Sequence, residues 1–141
     1  ILFGGGLSLA AQISSSGLGI WIGNSLLILS TVPPILLILA VATLIIFLTE
    51  ITSNVTTTTT FLPVFGALAI AIGVLPVSLT VPVCLAASCA FMLPVATPPN
   101  AIVYGSNKFT IATMMRAGFA LNIVGILVVT IFAYYFAPLI F

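Results

Sequence analysis

The chain has 141 residues, 62% of them apolar, and its charged side chains number three: Glu50, Lys108 and Arg116. A soluble domain of ordinary composition devotes about a quarter of its residues to charge, so folding in water would leave large apolar patches that no polar surface could cover. A soluble enzyme is excluded on that ground, and a nucleic-acid binder is excluded because neutralising phosphates takes many Lys and Arg. The chain belongs in a bilayer.

The inventory removes further chemistries. With no His and no Asp, neither a clustered metal site nor a Ser-His-Asp triad can be assembled, so no catalytic residue and no organic cofactor is expected. Cys84 and Cys89 sit five apart in an apolar stretch and read as small core hydrophobes.

In chain order, the first segment opens on Ile1 without a basic lead-in, which does not look like a signal peptide; the sequence reads as the interior of a longer protein. Residues 1–30 read as the end of a helix, with Gly4, Gly5 and Gly6 permitting close packing, then a turn and an interfacial segment anchored by Trp21. After Pro33 and Pro34 an apolar run from Ile35 to Leu48 covers only about 21 Å at helical rise, short of a hydrocarbon core of about 30 Å. It meets the stretch Thr49 to Thr60, polar at every position but Ile51 and Val55, and a second apolar run follows to Leu75. Two incomplete helices joined by a polar tip describe a re-entrant hairpin over residues 31–75. Such a tip survives at membrane depth only if buried in protein or lining a water-filled cavity.

Residues 76–108 read as a broken helix. The run from Val77 to Val95 ends in Pro94, Thr97, Pro98, Pro99 and Asn100; consecutive prolines remove amide donors and disfavour helical geometry at Thr97, so the helix should break there and resume over Ala101 to Gly105. Phe119 to Phe136, apolar apart from Asn122 and Thr130 and the tolerated Gly125, is the clearest spanning helix, within a last segment taken as 115–141. Lys108 and Arg116 place the connection before it in the cytoplasm, and counting crossings from there puts the hairpin at the outer face. The fold class expected is an all-α integral membrane fragment, multi-pass, in a cell membrane.

Two interrupted elements are the pattern of secondary transporters, where half-helix ends meet near the midplane. One half's N-terminus exposes amide N–H groups suited to a carboxylate, and the other's C-terminus exposes carbonyls suited to a small cation. Ser53, Asn54 and the break from Thr97 to Asn100 supply neutral donors and oxygen acceptors that can hold ions and release them.

The stretches TEITSNV, Thr49 to Val55, and SCAFMLPVATPPNAIVYGS, Ser88 to Ser106, together with the opening LFGGGLSLA, resemble the divalent anion sodium symporters, a family of sodium-coupled dicarboxylate and citrate transporters. The resemblance extends over essentially the whole chain. It implies the second of two inverted repeats, with the first upstream of Ile1. It also implies that Ser53, Asn54 and the residue at 55 bind a substrate carboxylate, with Thr97 and Pro98 beside the substrate. A sodium ion would fall on Thr49, Thr52, Asn54 and the carbonyl of Ala96. Val55 stands where the family carries Thr, which removes one side-chain hydrogen bond worth about 0.5 to 1.5 kcal/mol. Elevator-like movement of hairpin and broken helix and a homodimer are further implications, with a small carboxylate, sodium and the lipid bilayer as partners.

The residues alone leave other readings open. Thr49 to Thr60 could be an ordinary polar loop between two complete helices, and Asn54-Val55-Thr56 satisfies the glycosylation sequon, although a ligand-binding tip at the midplane could not carry a glycan. Glu50 could carry a proton across the membrane, or it could hydrogen-bond the hairpin backbone. The Thr56 to Thr60 run reads as satisfying the backbone of the returning helix, with none of the five assigned to a ligand. A sodium-independent exchanger of the same family and a channel subunit with a polar filter are the rival functions.

Overall fold

A computed structural model describes residues 32–140, preceded by Ser8, Ala11, Gln12, Ser15 to Gly17 and Trp21. The expected helix end and interfacial segment over residues 1–30, including Gly4 to Gly6, otherwise lie outside the described residues. From Val32 onward the chain is helical without strands: α1 is Pro34–Thr49, α2 Asn54–Ala71, α3 Val77–Ala87, α4 Pro98–Gly105, α5 Ile111–Tyr135 and α6 Ala137–Ile140.

Local chemistry sets the starting points. Pro34 opens α1, where its missing N–H is no loss. Ser53, Thr97 and Thr110 stand in extended conformation at the next caps, their hydroxyls accepting the amides of Thr56, Asn100 and Thr113. Among these, Thr97 is held extended by the proline that follows it, so Pro98 and Pro99 begin a helix rather than interrupt one.

The chain reverses between α1 and α2. Thr49, at the end of α1, donates its hydroxyl to the Ala87 carbonyl at the end of α3, while Thr80 Cγ2, near the start of α3, lies 3.5 Å from where a Cβ on Gly66 of α2 would sit. So α2 leaves the end of α3 and runs back toward its start. The core is shared by four helices: Leu37, Val41 and Ile45 on α1, Phe65 and Leu68 on α2, Leu79 and Val83 on α3, and Ile126 and Val129 on α5 are all buried. Phe47 meets Phe119 at a centroid distance of 6.2 Å, joining α1 to α5.

The outer faces are as apolar as the core. Leu44 on α1 and Leu121, Val124, Leu127, Val128 and Ile131 on α5 are exposed, which is what a helix hydrophobic all round shows when its solvent is lipid. Both α2 and α5 are long and apolar enough to cross a membrane. At helical rise α5 spans about 37 Å, beyond a hydrocarbon core of about 30 Å, and α1 about 24 Å, short of it. The fold is that of an all-α integral membrane segment.

Three boundaries differ from those read off the sequence. The polar stretch from Thr49 to Thr60 divides, leaving only Glu50 to Ser53 outside helix; the Thr run is helical, and Thr57, Thr58 and Thr59 satisfy their hydroxyls on the carbonyls of Ser53, Asn54 and Val55. The helix before the proline cluster ends at Ala87 rather than Val95, so the break covers Ser88 to Thr97. The last long helix starts at Ile111, earlier than Phe119 or residue 115, because Thr110 caps it, and it stops at Tyr135 before the separate turn of α6.

Candidate functional site

The reversal and the break face one another across a cavity of about 610 Å³. Ser53, Asn54 and Val55 form the hairpin side, and Ser88, Ala90, Phe91 and the run from Ala96 to Asn100 form the other. All five residues expected to contact substrate, Ser53, Asn54, Val55, Thr97 and Pro98, therefore line one space, and Ala96 lines it with them. Thr49 and Thr52 do not line it.

The N-terminal ends of α2 and α4 both border this cavity, but they offer different things. In α2 the amide of Thr56 goes to Ser53 Oγ and that of Thr57 to the Ser53 carbonyl; the amides of Asn54 and Val55 have no acceptor among the described residues. In α4 the first two residues are prolines, the Asn100 amide is capped by Thr97 Oγ1 at 3.4 Å, and the Ala101 amide goes to the Thr97 carbonyl. Helix α4 thus contributes its dipole without a free amide, and α2 contributes two free donors.

Behind the tip, Thr49 is fully buried. Its Oγ1 lies 2.9 Å from Asn54 Oδ1 and 2.9 Å from the Ala87 carbonyl oxygen. A hydroxyl has one proton, so two acceptors share a single donor and one oxygen is in surplus. Asn54 Nδ2 makes no hydrogen bond among the described residues, and neither does the Ala96 carbonyl. Thr52 is engaged within the hairpin, its hydroxyl meeting the Leu48 carbonyl and Thr57 Oγ1, so its side chain is brought to neither the cavity nor Thr49.

The carboxylate of Glu50 is the contact that sequence reasoning missed. Of its two open roles, hydrogen bonding to backbone is what the structure shows, but to the break rather than to the hairpin. Glu50 is 3% exposed. Its Oε1 accepts from the amides of Phe91 at 2.8 Å and Met92 at 2.9 Å, and its Oε2 accepts from Leu93 at 3.0 Å. Asn122 Nδ2 of α5 donates to Oε1 at 2.8 Å. Asn100 closes the other side, its Nδ2 donating to the carbonyls of Ala90 and Leu93. Beneath the break, a Cβ on Gly118 would come 2.5 Å from Met92 Cα, so only glycine lets this backbone lie on α5. The signal was present in Gly118 and Asn122, four apart on one helix face, with a lone carboxylate elsewhere to match them.

Groups of this kind can hold a carboxylate by neutral donors on one side and a small cation by oxygens on the other. The sequence over residues 1–141 matches the family described as sodium:sulfate symporter transmembrane region. It is 47% identical over 138 residues to the sodium-dependent dicarboxylate transporter SdcS of Staphylococcus saprophyticus, covering 98% of this chain and 27% of that protein. It is 46% identical over 140 residues to SdcS of Staphylococcus aureus strain MRSA252, covering 99% of this chain and 27% of the relative. The chain thus spans about a quarter of the length of these curated relatives.

Proposed function

This chain belongs to the sodium:sulfate symporter transmembrane family, and on that premise we propose that it forms one ligand-gripping half of a sodium-coupled transporter for dicarboxylates. The observation that carries the proposal is the pairing of two amides without an acceptor among the described residues, at Asn54 and Val55, with the hydroxyls of Ser53 and Thr97 around one cavity. Neutral donors hold a carboxylate without the fixed positive charge that would retain it. One carboxylate of the substrate sits here, and the second needs groups from the rest of the protein.

Sodium fits the surplus of oxygen at Thr49. The Thr49 hydroxyl, Asn54 Oδ1 and the Ala87 carbonyl stand together with one proton too few, and the Ala96 carbonyl across the cavity accepts nothing among the described residues. Of the residues expected to hold the ion, Thr49 and Asn54 bring their oxygens together, Ala96 stands across the cavity, and Thr52 turns its hydroxyl to the Leu48 carbonyl and Thr57 within the tip.

Coupling follows from the two ends of the Asn54 amide. With a cation drawing Oδ1 toward Thr49, Nδ2 is turned to the cavity as a donor for the substrate carboxylate. Without the cation, turning the amide over lets Nδ2 donate to Thr49 Oγ1, which leaves an oxygen facing the anion. Sodium therefore raises substrate affinity. Hairpin and broken helix then move together in an elevator-like step, in a homodimer, with the loop bearing Lys108 on the cytoplasmic side.

Uptake of labelled succinate by the full-length protein in proteoliposomes tests the reading. An inward sodium gradient should drive accumulation, and replacing sodium with potassium should abolish it. Uptake unaffected by sodium would identify a sodium-independent exchanger, uptake that never saturates would identify a channel, and sulfate transport without succinate transport would overturn the dicarboxylate assignment.

A further inference from the structure

We infer that Glu50 is the positioning residue of the substrate wall: its carboxyl group holds the break from Ser88 to Thr97 in its binding shape. The inference uses the transport reading only for its kinetic test.

The geometry is that of an anion nest whose anion is supplied by the chain itself. Three consecutive amides, from Phe91, Met92 and Leu93, converge on one carboxylate, and a fourth donor comes from Asn122. Those donors belong to two elements, the break and α5, while Glu50 itself extends from the hairpin tip. The chain's other charged residues, Lys108 and Arg116, are exposed and form no ion pair with it.

What the nest fixes is the cavity. Phe91, whose amide Glu50 holds, is itself a lining residue, and Ala96 and Thr97 follow within the same loop. Asn100 ties the carbonyls of Ala90 and Leu93 to the start of α4, so the loop is clamped from the carboxylate side and from the α4 side. Without the first clamp, the amides of three successive residues turn elsewhere and the wall loses its shape, although the hairpin donors at Asn54 and Val55 remain.

Glu50→Gln in the full-length protein separates the roles. The amide keeps one acceptor oxygen but sets an NH2 group against backbone N–H donors. The half-saturation concentration for succinate should rise about tenfold or more, the maximal rate should fall less, and the amides of Phe91, Met92 and Leu93 should exchange faster by hydrogen-exchange mass spectrometry. Asn122→Ala, which removes one donor and spares the three amides, should move half-saturation and exchange the same way by less, and it decides the matter if the Gln variant does not fold. An unchanged half-saturation with unchanged exchange protection would overturn the inference. If the wild type moves no succinate, the transport reading fails, and the exchange measurement alone still decides the role of Glu50.

Discussion

Thr49 Oγ1 and Asn54 Oδ1 stand 2.9 Å apart across the reversal of the hairpin, in a place where Thr49 is fully buried. They are five positions apart in sequence, and the tight turn from Glu50 to Ser53 makes them neighbours. Replacing Thr49 with Val keeps the volume and removes the oxygen. The Ala87 carbonyl and Asn54 Oδ1 then lose their shared donor, and the proposed cation loses a ligand, at a cost of about 1 to 3 kcal/mol. The sodium concentration for half-maximal succinate uptake should rise about tenfold or more, while Thr49→Ser, which keeps the hydroxyl, should stay close to wild type. Sodium titration of uptake in proteoliposomes checks both.

The contact between α5 and the break makes a different prediction, about folding rather than ligand. A Cβ at Gly118 would lie 2.5 Å from Met92 Cα, a backbone atom that cannot swing away, whereas a Cβ at Gly125 would meet Cys89 at 3.6 Å. Gly118→Ala should destabilise the protein by about 1 to 3 kcal/mol through overpacking, lowering Tm and weakening substrate binding together. Gly125→Ala should be neutral in thermal unfolding, since it fills space at ordinary contact distance and improves helix propensity.

These two cases show what the sequence disclosed and what it withheld. The hairpin side of the site was legible because turn and cap chemistry is local: Ser53 precedes Asn54, and its hydroxyl caps a helix three residues on. Thr97 was legible for the same reason, since a proline after it dictates its backbone. The extent of the break was not. Nothing between Ser88 and Leu93 breaks a helix by composition, and the helix ends at Ala87 because amides at 91 to 93 find a better acceptor in Glu50, more than forty residues away in the chain. Thr52 was placed beside a cation by resemblance, but its hydroxyl is spent on Leu48 and Thr57. That assignment depends on rotamers that no spacing fixes.

In the proposed site, Thr97 contacts the substrate and not the cation. Its Oγ1 accepts the Asn100 amide at 3.4 Å and keeps its own proton available at the cavity. Thr97→Val should raise the half-saturation concentration for succinate about three- to tenfold, the loss of one ordinary hydrogen bond and a weak cap. At saturating succinate the sodium titration should stay close to wild type, because Thr97 touches neither Thr49 nor Asn54. A sodium titration that shifts even there would mean that Thr97 also supports the cation site.

Val55 tests how much of the grip belongs to the backbone. It is the second residue of α2 and 49% exposed at the cavity. Its amide has no acceptor among the described residues, so that donor is available whatever the side chain. Val55→Thr places a hydroxyl at the tip and, in the proposed site, adds one hydrogen bond to the substrate, worth about 0.5 to 1.5 kcal/mol. Affinity for succinate should therefore tighten by no more than about tenfold, with the maximal rate and sodium dependence unchanged. A β-branched side chain replaces another of the same shape, so folding should not intervene. A gain much beyond tenfold would mean that the hydroxyl, rather than the amides of residues 54 and 55, dominates anion binding. No change at all would mean that the Val55 side chain stands away from the carboxylate and that the helix terminus grips the substrate alone.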